Sequence, residues 1–243
     1  MTLRPLALIT GASAGLGAAF ARAYAARGHD LALVARRLER LEALGDELAA
    51  AHGVRCQVIA CDLGGADACQ TVLEALGERA GSVDVLVNNA GFGIAEDFDA
   101  VPWERQRGFL MTLIVSACAL THAVVPGMKA RRCGAIINVA SLAGFAPGVA
   151  GHSPYPAAKS LAIKFSEALH AELKDYGIRV TASCPGFTHT EFHLANGTRA
   201  QMDALPLFLW QTAEDVVRGT LKANDRNRTI YVPGLHNKLA AWA

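Results

Sequence analysis

The sequence predicts an α/β protein built on a doubly wound parallel β-sheet of about seven strands, with helices on both faces. Short runs of apolar or β-branched residues alternate with longer runs of helical spacing along the whole chain. The short runs are continuously apolar, which is typical of parallel strands buried on both faces. Because no linker, internal repeat or low-complexity tract interrupts the pattern, we expect residues 1–243 to form one domain.

The strand-like runs are Leu6–Thr10, Leu31–Ala35, Gln57–Cys61, Val83–Val87, Ala135–Ala140, Arg179–Ser183 and Thr229–Val232. Helical spacing is clearest where apolar residues recur every fourth position from Leu161 to Leu173. The apolar segment Phe109–Val125 contains several polar residues and meets Pro126. At about 17 residues it reaches only the lower limit for crossing a bilayer, so we expect a buried helix.

Composition and charge exclude several classes of protein. Hydrophobic residues make up 52% of the chain and charged residues 19%, which excludes disorder as the main state. The net charge of +1 leaves no broad basic surface for nucleic acid. The N-terminus leads directly into a short strand-like run and has no apolar stretch of signal-peptide length, so we expect a cytoplasmic protein.

The cysteines give no sign of a metal or disulfide framework. The six, at positions 56, 61, 69, 118, 133 and 184, include no C-x-x-C pair and no histidine at ligand spacing. We therefore expect buried free thiols and no metal site.

Glycines cluster where the first strand meets the first helix. The segment 10–17 reads T-G-A-S-A-G-L-G, with Gly11, Gly15 and Gly17 at G-x-x-x-G-x-G spacing. Glycines at such a turn allow a pyrophosphate to approach the backbone and the helix N-terminus. The spacing differs from the common G-x-G-x-x-G pattern, and a merely structural turn is the alternative.

The end of the second strand indicates which dinucleotide binds. An acidic residue there would hold the ribose 2′-hydroxyl of NAD, whereas arginine accommodates the 2′-phosphate of NADP. The sequence gives Arg36 and Arg37, with no carboxylate before Glu39. This favours NADP(H) over NAD(H). The alternative is a solvated helix start in which the arginines pair with Glu39 or Glu42.

A phenol and an ammonium share one helical face in Tyr155-Pro156-Ala157-Ala158-Lys159. A free phenol titrates near ~10, and a nearby ammonium would lower that pKa towards the range useful for acid–base catalysis. Ser141 ends a predicted strand and could hydrogen-bond a substrate oxygen. Two further loops, Asn88–Gly91 and Pro185–Thr190, also follow strand C-termini, where open α/β sheets bind ligands.

Together these motifs resemble the short-chain dehydrogenases/reductases over essentially the full chain, which implies a Rossmann-like fold. The matching motifs are T-G-x-x-x-G-x-G, Cys61-Asp62-Leu63, Asn88-Asn89-Ala90-Gly91, Ser141, Tyr155 with Lys159, and Pro185-Gly186. The resemblance implies an oxidoreductase that interconverts a carbonyl and a secondary alcohol, a catalytic Ser141, Tyr155 and Lys159, and a homodimer or homotetramer. It implies that the cofactor contacts Gly11, Ser13, Gly15, Leu16, Gly17, Arg36, Arg37, Asp62, Leu63, Asn89, Ala90, Gly91, Tyr155, Lys159, Pro185, Gly186, Thr188 and Thr190.

Two departures from the family pattern stand out. Leu113 occupies the position where the family often has an asparagine that completes a proton relay, so Leu113→Asn is expected to accelerate a slow parent enzyme. The interval between Ser141 and Tyr155 is about one residue longer than usual, and the extra residue falls in the loop that carries His152 and Ser153. Those two side chains are either surface residues or substrate contacts.

The segment 187–212 is rich in apolar residues, among them Phe192, Leu194, Met202, Leu205, Leu207, Phe208, Leu209 and Trp210. It is expected either to cover a small hydrophobic substrate or to pack as a peripheral helix. The leading hypothesis is an NADP-dependent carbonyl/alcohol oxidoreductase. The alternative is a non-catalytic dinucleotide-binding sensor or partner protein. Sugar-nucleotide epimerisation or dehydration is a third option, but we expect such an enzyme to carry an extra nucleotide-sugar region for which this chain is too short.

Overall fold

A computed structural model describes residues 3–148, 150–151, 153–191, 206 and 209–242. The strands in these ranges are β1 (Leu6–Thr10), β2 (Asp30–Ala35), β3 (Cys56–Ala60), β4 (Val83–Asn88), β5 (Gly134–Val139), β6 (Ile178–Ser183), β7 (Thr188–His189), β8 (Gln211–Thr212) and β9 (Ile230–Tyr231). Within the described residues, seven of them form one parallel sheet in the order β3-β2-β1-β4-β5-β6-β9. The predicted strands are therefore present, with boundaries shifted by about one residue.

Helices cover both faces of this sheet. They are α1 (Gly15–Ala26), α2 (Leu38–His52), α3 (Ala68–Leu76), α4 (Trp103–Leu110), α5 (Ser116–Arg131), α6 (Pro154–Leu173), α7 (Ala213–Asp225) and α8 (Leu235–Trp242). One core cluster joins α1, α2 and α7 to the sheet, and a second joins α3, α5 and α6 to the opposite face. The prediction of a doubly wound parallel sheet is confirmed.

Strand order reverses between β1 and β4, which are neighbours in the sheet although two strands separate them in sequence. The helices that follow β1 and β4 therefore lie on opposite faces of the sheet and leave a crevice at the carboxyl edge. Gly11 and Gly15 adopt φ of +66° and +54° in the first of these loops. Residues with a Cβ rarely adopt such values, which explains why glycine stands at both positions.

β3 is an edge strand, and of its five residues only Ile59 is buried. The expectation that every strand is buried on both faces is therefore wrong for β3 and for the opposite edge strand β9, in which neither residue is fully buried. The small parallel pair of β7 and β8 was not predicted, because two-residue strands carry no periodicity.

The helix predicted from Phe109–Val125 is longer and less uniform than expected. One turn of π-helix at Met111–Val115 joins α4 to α5. In the described ranges, the resulting helix Trp103–Arg131 is the one segment long and apolar enough to cross a bilayer, a test that soluble core helices also pass. Leu120 and Val124 are buried against the sheet, whereas Val115 is 45% exposed, so only one face is buried.

The cysteines are free thiols of mixed exposure. Cys61 and Cys184 are buried, whereas Cys133 is exposed in the turn between α5 and β5. The expectation of buried thiols is therefore confirmed for Cys61 and Cys184, wrong for Cys133, and only partly met by the half-buried Cys56, Cys69 and Cys118. Burial raises the pKa of Cys184 to about 12, so this thiol stays protonated.

Candidate active site

A cavity of about 640 Å³ lies at the carboxyl edge of the sheet, where the strand order reverses. It gathers residues from the loops that follow β1 to β6, and from the residues after β7. Of the residues predicted from the sequence, it is lined by Gly11, Ser13, Gly15, Leu16, Arg36, Arg37, Asp62, Leu63, Asn89, Ala90, Gly91, Ser141, Tyr155, Lys159, Pro185, Gly186, Thr188 and Thr190.

Gly17 is the predicted cofactor contact that does not line this cavity. A Cβ at this position would clash with the Gly11 carbonyl and would lie 2.7 Å from the Asn89 side-chain nitrogen. Gly17 therefore allows α1 to pack closely under the glycine loop. Its contact with the cofactor stays a prediction.

The first turn of α1 suits an anionic group. The N-cap residue Ala14 provides no side-chain cap, and Gly15 and Leu16 line the cavity directly. The first N–H groups of a helix lack partners within the helix, and the helix dipole adds positive potential. The glycine loop and this helix start therefore fit the pyrophosphate of a dinucleotide.

Thr10 anchors the glycine loop to the loop after β4. Its hydroxyl accepts hydrogen bonds from the backbone N–H groups of Asn89 (2.9 Å) and Ala90 (3.0 Å), and donates to the Val87 carbonyl (3.2 Å). The Asn89 side chain donates in turn to the Thr10 carbonyl at 2.9 Å. Sequence reasoning missed this role, although a polar residue that ends a fully apolar strand is a usable signal.

The two arginines after β2 differ in their contacts. Arg37 donates from Nε and Nη2 to the Ser13 hydroxyl at 3.2 and 3.1 Å, and from Nη1 to Glu191 at 2.9 Å. Arg36 is exposed and makes no side-chain hydrogen bond or ion pair with any described residue. The alternative pairing of these arginines with Glu39 or Glu42 is not what the described residues show.

Ser141, Tyr155 and Lys159 meet at the other end of the cavity. Ser141 follows β5, and its hydroxyl accepts a hydrogen bond from the Ala143 N–H at 3.2 Å and hydrogen-bonds with Tyr155. Tyr155 and Lys159 lie in the first turns of α6, as their spacing predicts. The Lys159 ammonium donates to the Val139 carbonyl at 2.8 Å and lies 5.5 Å from the centre of the Tyr155 ring.

Burial dominates the protonation of this group. It raises the pKa of Tyr155 to about 12, against the opposing effect of the Ser141 hydrogen bond, and lowers the pKa of Lys159 to about 8. The expected lowering of the tyrosine pKa is wrong for this geometry, because burial outweighs the interactions that favour the phenolate. The phenol stays protonated at neutral pH and can act as a proton donor.

Leu113 lies in the π-helical turn and packs within an apolar cluster. It is 8% exposed and shares the cluster with Ile94, Phe109 and Ala158. A Cβ built on Gly91 would lie 3.3 Å from Leu113 Cγ, so the side chain closes against the loop after β4. Leu113 and Lys159 also line the same small cavity of about 20 Å³. This side chain is therefore part of the packing beneath the candidate site.

Leu113→Asn is expected to destabilise the protein, because it buries an amide among apolar side chains. Loss of about 2–4 kcal/mol from the free energy of unfolding is expected, measured by urea denaturation. Leu113→Met preserves volume and polarity and should stay within about 1.5 kcal/mol of the parent. An Asn variant as stable as the parent would contradict the packing role. The same variant tests the expectation of faster turnover.

Asn237 supports the loop after β6 and was missed by sequence reasoning. Its side chain is buried and donates to the Pro233 carbonyl at 2.8 Å. A Cβ on Gly186 would come within 2.6 Å of the Asn237 carboxamide. This explains why glycine follows Pro185 in a loop that lines the cavity. No local pattern marks an asparagine in the last helix as a neighbour of that loop.

Part of the predicted substrate-covering segment falls outside the described residues. This applies to Phe192, Leu194, Met202, Leu205, Leu207 and Phe208, and also to His152. In the described part, Phe187 lines the cavity, and Trp210 packs against Phe187 and stacks on His189, with ring centres 5.7 and 4.7 Å apart. Ser153 is exposed, in agreement with a surface role.

A doubly wound sheet with a dinucleotide-sized cavity at the strand reversal, and a serine, tyrosine and lysine grouped at one end of it, defines the class of nicotinamide-dependent oxidoreductases. The chain belongs to the short chain dehydrogenase family, whose profile matches residues 5–200.

The chain is 42% identical over 190 residues to an uncharacterized oxidoreductase of Myxococcus xanthus (strain DK1622), covering 78% of this chain and 74% of the relative. It is 38% identical over 207 residues to sulfoacetaldehyde reductase 2 of Chromohalobacter salexigens, covering 82% and 80%. A solved short-chain dehydrogenase from Sphingobium yanoikuyae in complex with NADPH superposes with a TM-score of 0.87 at 35% identity, covering 96% and 89%. The chain is therefore an oxidoreductase, and the alternative of a non-catalytic sensor is not favoured.

Proposed function

We propose that this chain is an NADP(H)-dependent oxidoreductase that interconverts a carbonyl and a secondary alcohol of a small hydrophobic substrate. The observation that carries the proposal is that Ser141, Tyr155 and Lys159 line one cavity together with Arg36, with the Lys159 ammonium 5.5 Å from the centre of the Tyr155 ring. When bound, the nicotinamide cofactor supplies or accepts the hydride.

The cavity lining suggests how the cofactor is held. The pyrophosphate and adenosine ribose are bound by Gly11, Ser13, Gly15 and Leu16, and the 2′-phosphate by Arg36 and Arg37. The adenine is bound by Asp62 and Leu63. The rest of the cofactor is lined by Asn89, Ala90 and Gly91. Lys159 binds the nicotinamide ribose, Pro185, Gly186 and Thr188 hold the nicotinamide end, and Thr190 lies near the phosphates. Support comes from their shared position in one cavity and from the relative solved with NADPH.

Proton transfer in the reductive direction is assigned to Tyr155. Ser141 positions the substrate oxygen, and the Tyr155 hydroxyl donates its proton as negative charge develops there. Because the pKa of Tyr155 is raised, its hydroxyl stays protonated until negative charge develops on the substrate oxygen. Lys159 stabilises the phenolate that forms, because its ammonium is buried nearby.

The substrate end of the cavity favours an apolar compound. Phe92, Leu142, Ala143, Ala146 and Phe187 line it. The direct test is a panel of ketones and aldehydes, with oxidation of NADPH and of NADH followed by absorbance. Turnover of apolar ketones with NADPH is expected, in preference to a charged aldehyde such as sulfoacetaldehyde. Faster turnover of the charged aldehyde would contradict the substrate class, and equal rates with NADH would contradict the cofactor.

An exposed apolar face supports a homodimer or homotetramer, and we propose that this assembly is cytoplasmic. Trp103, Val115 and Leu161 are 57%, 45% and 39% exposed, on α4, the π-helical turn and α6. α4, the π-helical turn and α6 pack against one another, so these side chains belong to adjacent elements. Large apolar side chains exposed on adjacent elements are typical of subunit interfaces.

Light scattering at micromolar concentration is expected to give at least the mass of a dimer. Val115→Arg should lower that mass to the monomer value, because it places a charge in the apolar interface. Leu38→Arg is the matched control, since Leu38 is also 45% exposed but lies on α2. A monomeric parent protein would contradict the assembly.

A further inference from the structure

A carboxylate from far along the chain lies against the arginines at the end of β2. Glu191 accepts hydrogen bonds from Arg37 Nη1 at 2.9 Å and from Arg40 Nη1 at 2.8 Å. The two arginines hold the pKa of the Glu191 carboxyl below its usual range. The sequence shows no carboxylate after β2 before Glu39, but the fold supplies one from a position 154 residues beyond Arg37.

This carboxylate makes the two neighbouring arginines unequal. Arg37 donates hydrogen bonds from Nε and Nη2 to the Ser13 hydroxyl and from Nη1 to Glu191. Arg36 makes no side-chain hydrogen bond or ion pair with any described residue. Both arginines, Ser13 and Glu191 line the same end of the large cavity. An anionic ligand can therefore bind Arg36 without displacing another side chain, but it can bind Arg37 Nη1 only by displacing Glu191.

We infer that Glu191 is a specificity-determining residue that competes with the 2′-phosphate of NADP(H) for Arg37 and so moderates the preference for NADP(H) over NAD(H). The inference rests on the proposed function, in which Arg36 and Arg37 receive that phosphate. A carboxylate beside the phosphate repels it, since both are anionic. The same carboxylate can accept a hydrogen bond from the 2′-hydroxyl of NAD(H).

The exposure of the ion pair sets the size of the effect. The side chains of Arg37 and Glu191 are 45% and 47% exposed. Ion pairs this accessible to water change an equilibrium constant by only about two- to fivefold. Glu191 therefore adjusts cofactor preference, and Arg36 remains the larger determinant.

The test is cofactor binding, measured by calorimetric titration of NADP⁺ and NAD⁺ without substrate. Glu191→Gln is expected to lower the dissociation constant for NADP⁺ by about two- to fivefold and to leave that for NAD⁺ unchanged or higher. The matched control is Glu47→Gln. Glu47 pairs with Arg22 at 2.8 Å, with side chains 48% and 49% exposed, and it does not line the cavity. This control should change neither constant.

A double-mutant cycle separates direct competition from general repulsion. In an Arg37→Ala background, Glu191→Gln should change NADP⁺ affinity by less than about 1.5-fold. The inference is overturned if Glu191→Gln leaves NADP⁺ affinity unchanged or weaker while the parent prefers NADP⁺, or if its full effect persists without Arg37. A parent protein that binds NADP⁺ no tighter than NAD⁺ would instead overturn the proposed function beneath it.

Discussion

Tyr155→Phe is expected to reduce the rate of hydride transfer to a ketone by about 10²–10⁴-fold. Hydride addition leaves an alkoxide-like oxygen, and the buried end of the cavity gives that oxygen few other proton donors. The substitution removes only the hydroxyl that hydrogen-bonds with Ser141 and keeps the aromatic ring. Cofactor affinity should therefore stay close to that of the parent. Single-turnover reduction with saturating NADPH measures the effect.

Tyr176→Phe provides the matched control for that experiment. Tyr176 is 38% exposed and packs under the ammonium of Lys129, away from the cavity lining. Its substitution should leave hydride transfer unchanged. Lys159→Met should reduce both turnover and cofactor affinity, because the ammonium also serves the ribose in the proposed site. Comparable rates for the parent and Tyr155→Phe would remove Tyr155 from the mechanism.

Arg36→Ala is expected to weaken NADPH binding by about tenfold to a hundredfold and to leave NADH binding nearly unchanged. A charge-assisted hydrogen bond to phosphate contributes about 1.5–3 kcal/mol, which converts to this range. Because Arg36 has no partner among the described residues, its guanidinium does not have to leave another contact to bind the phosphate. Calorimetric titration of both cofactors measures the difference.

Arg22→Ala is the control for Arg36→Ala. Arg22 is a half-exposed arginine on α1 that pairs with Glu47 and lies outside the cavity lining. It should change neither cofactor affinity. An equal loss of NADPH and NADH affinity on Arg36→Ala would show that the residue supports the loop rather than the 2′-phosphate.

Local patterns predicted the parts of this molecule that depend on local physics. Apolar runs such as Leu6–Thr10 became central strands because only a sheet covered on both faces buries them. The spacing of Tyr155 and Lys159 placed both in the first turns of one helix, since residues four apart share a face. The glycine turn was found in the same way, from a strand that runs directly into a helix.

The features that the sequence did not predict depend on contacts between residues that are far apart in the chain. Glu191 reaches Arg37, and Asn237 reaches Gly186, through chain paths that no periodicity encodes. The raised pKa of Tyr155 likewise follows from its burial, which the spacing of residues does not reveal. Two-residue strands such as Thr188–His189 are too short to leave a pattern.

The bonds from Thr10 to the loop after β4 also bear on how the chain acquires its function during synthesis. When residues 1–60 of a nascent chain have left the ribosome, the chain contains every glycine of the glycine loop and both arginines after β2. It still lacks Asn89 and Ala90, which fix that loop through the Thr10 hydroxyl. On the ribosome, the glycine loop therefore lacks these two hydrogen bonds until residues 89 and 90 have emerged and β4 has paired with β1.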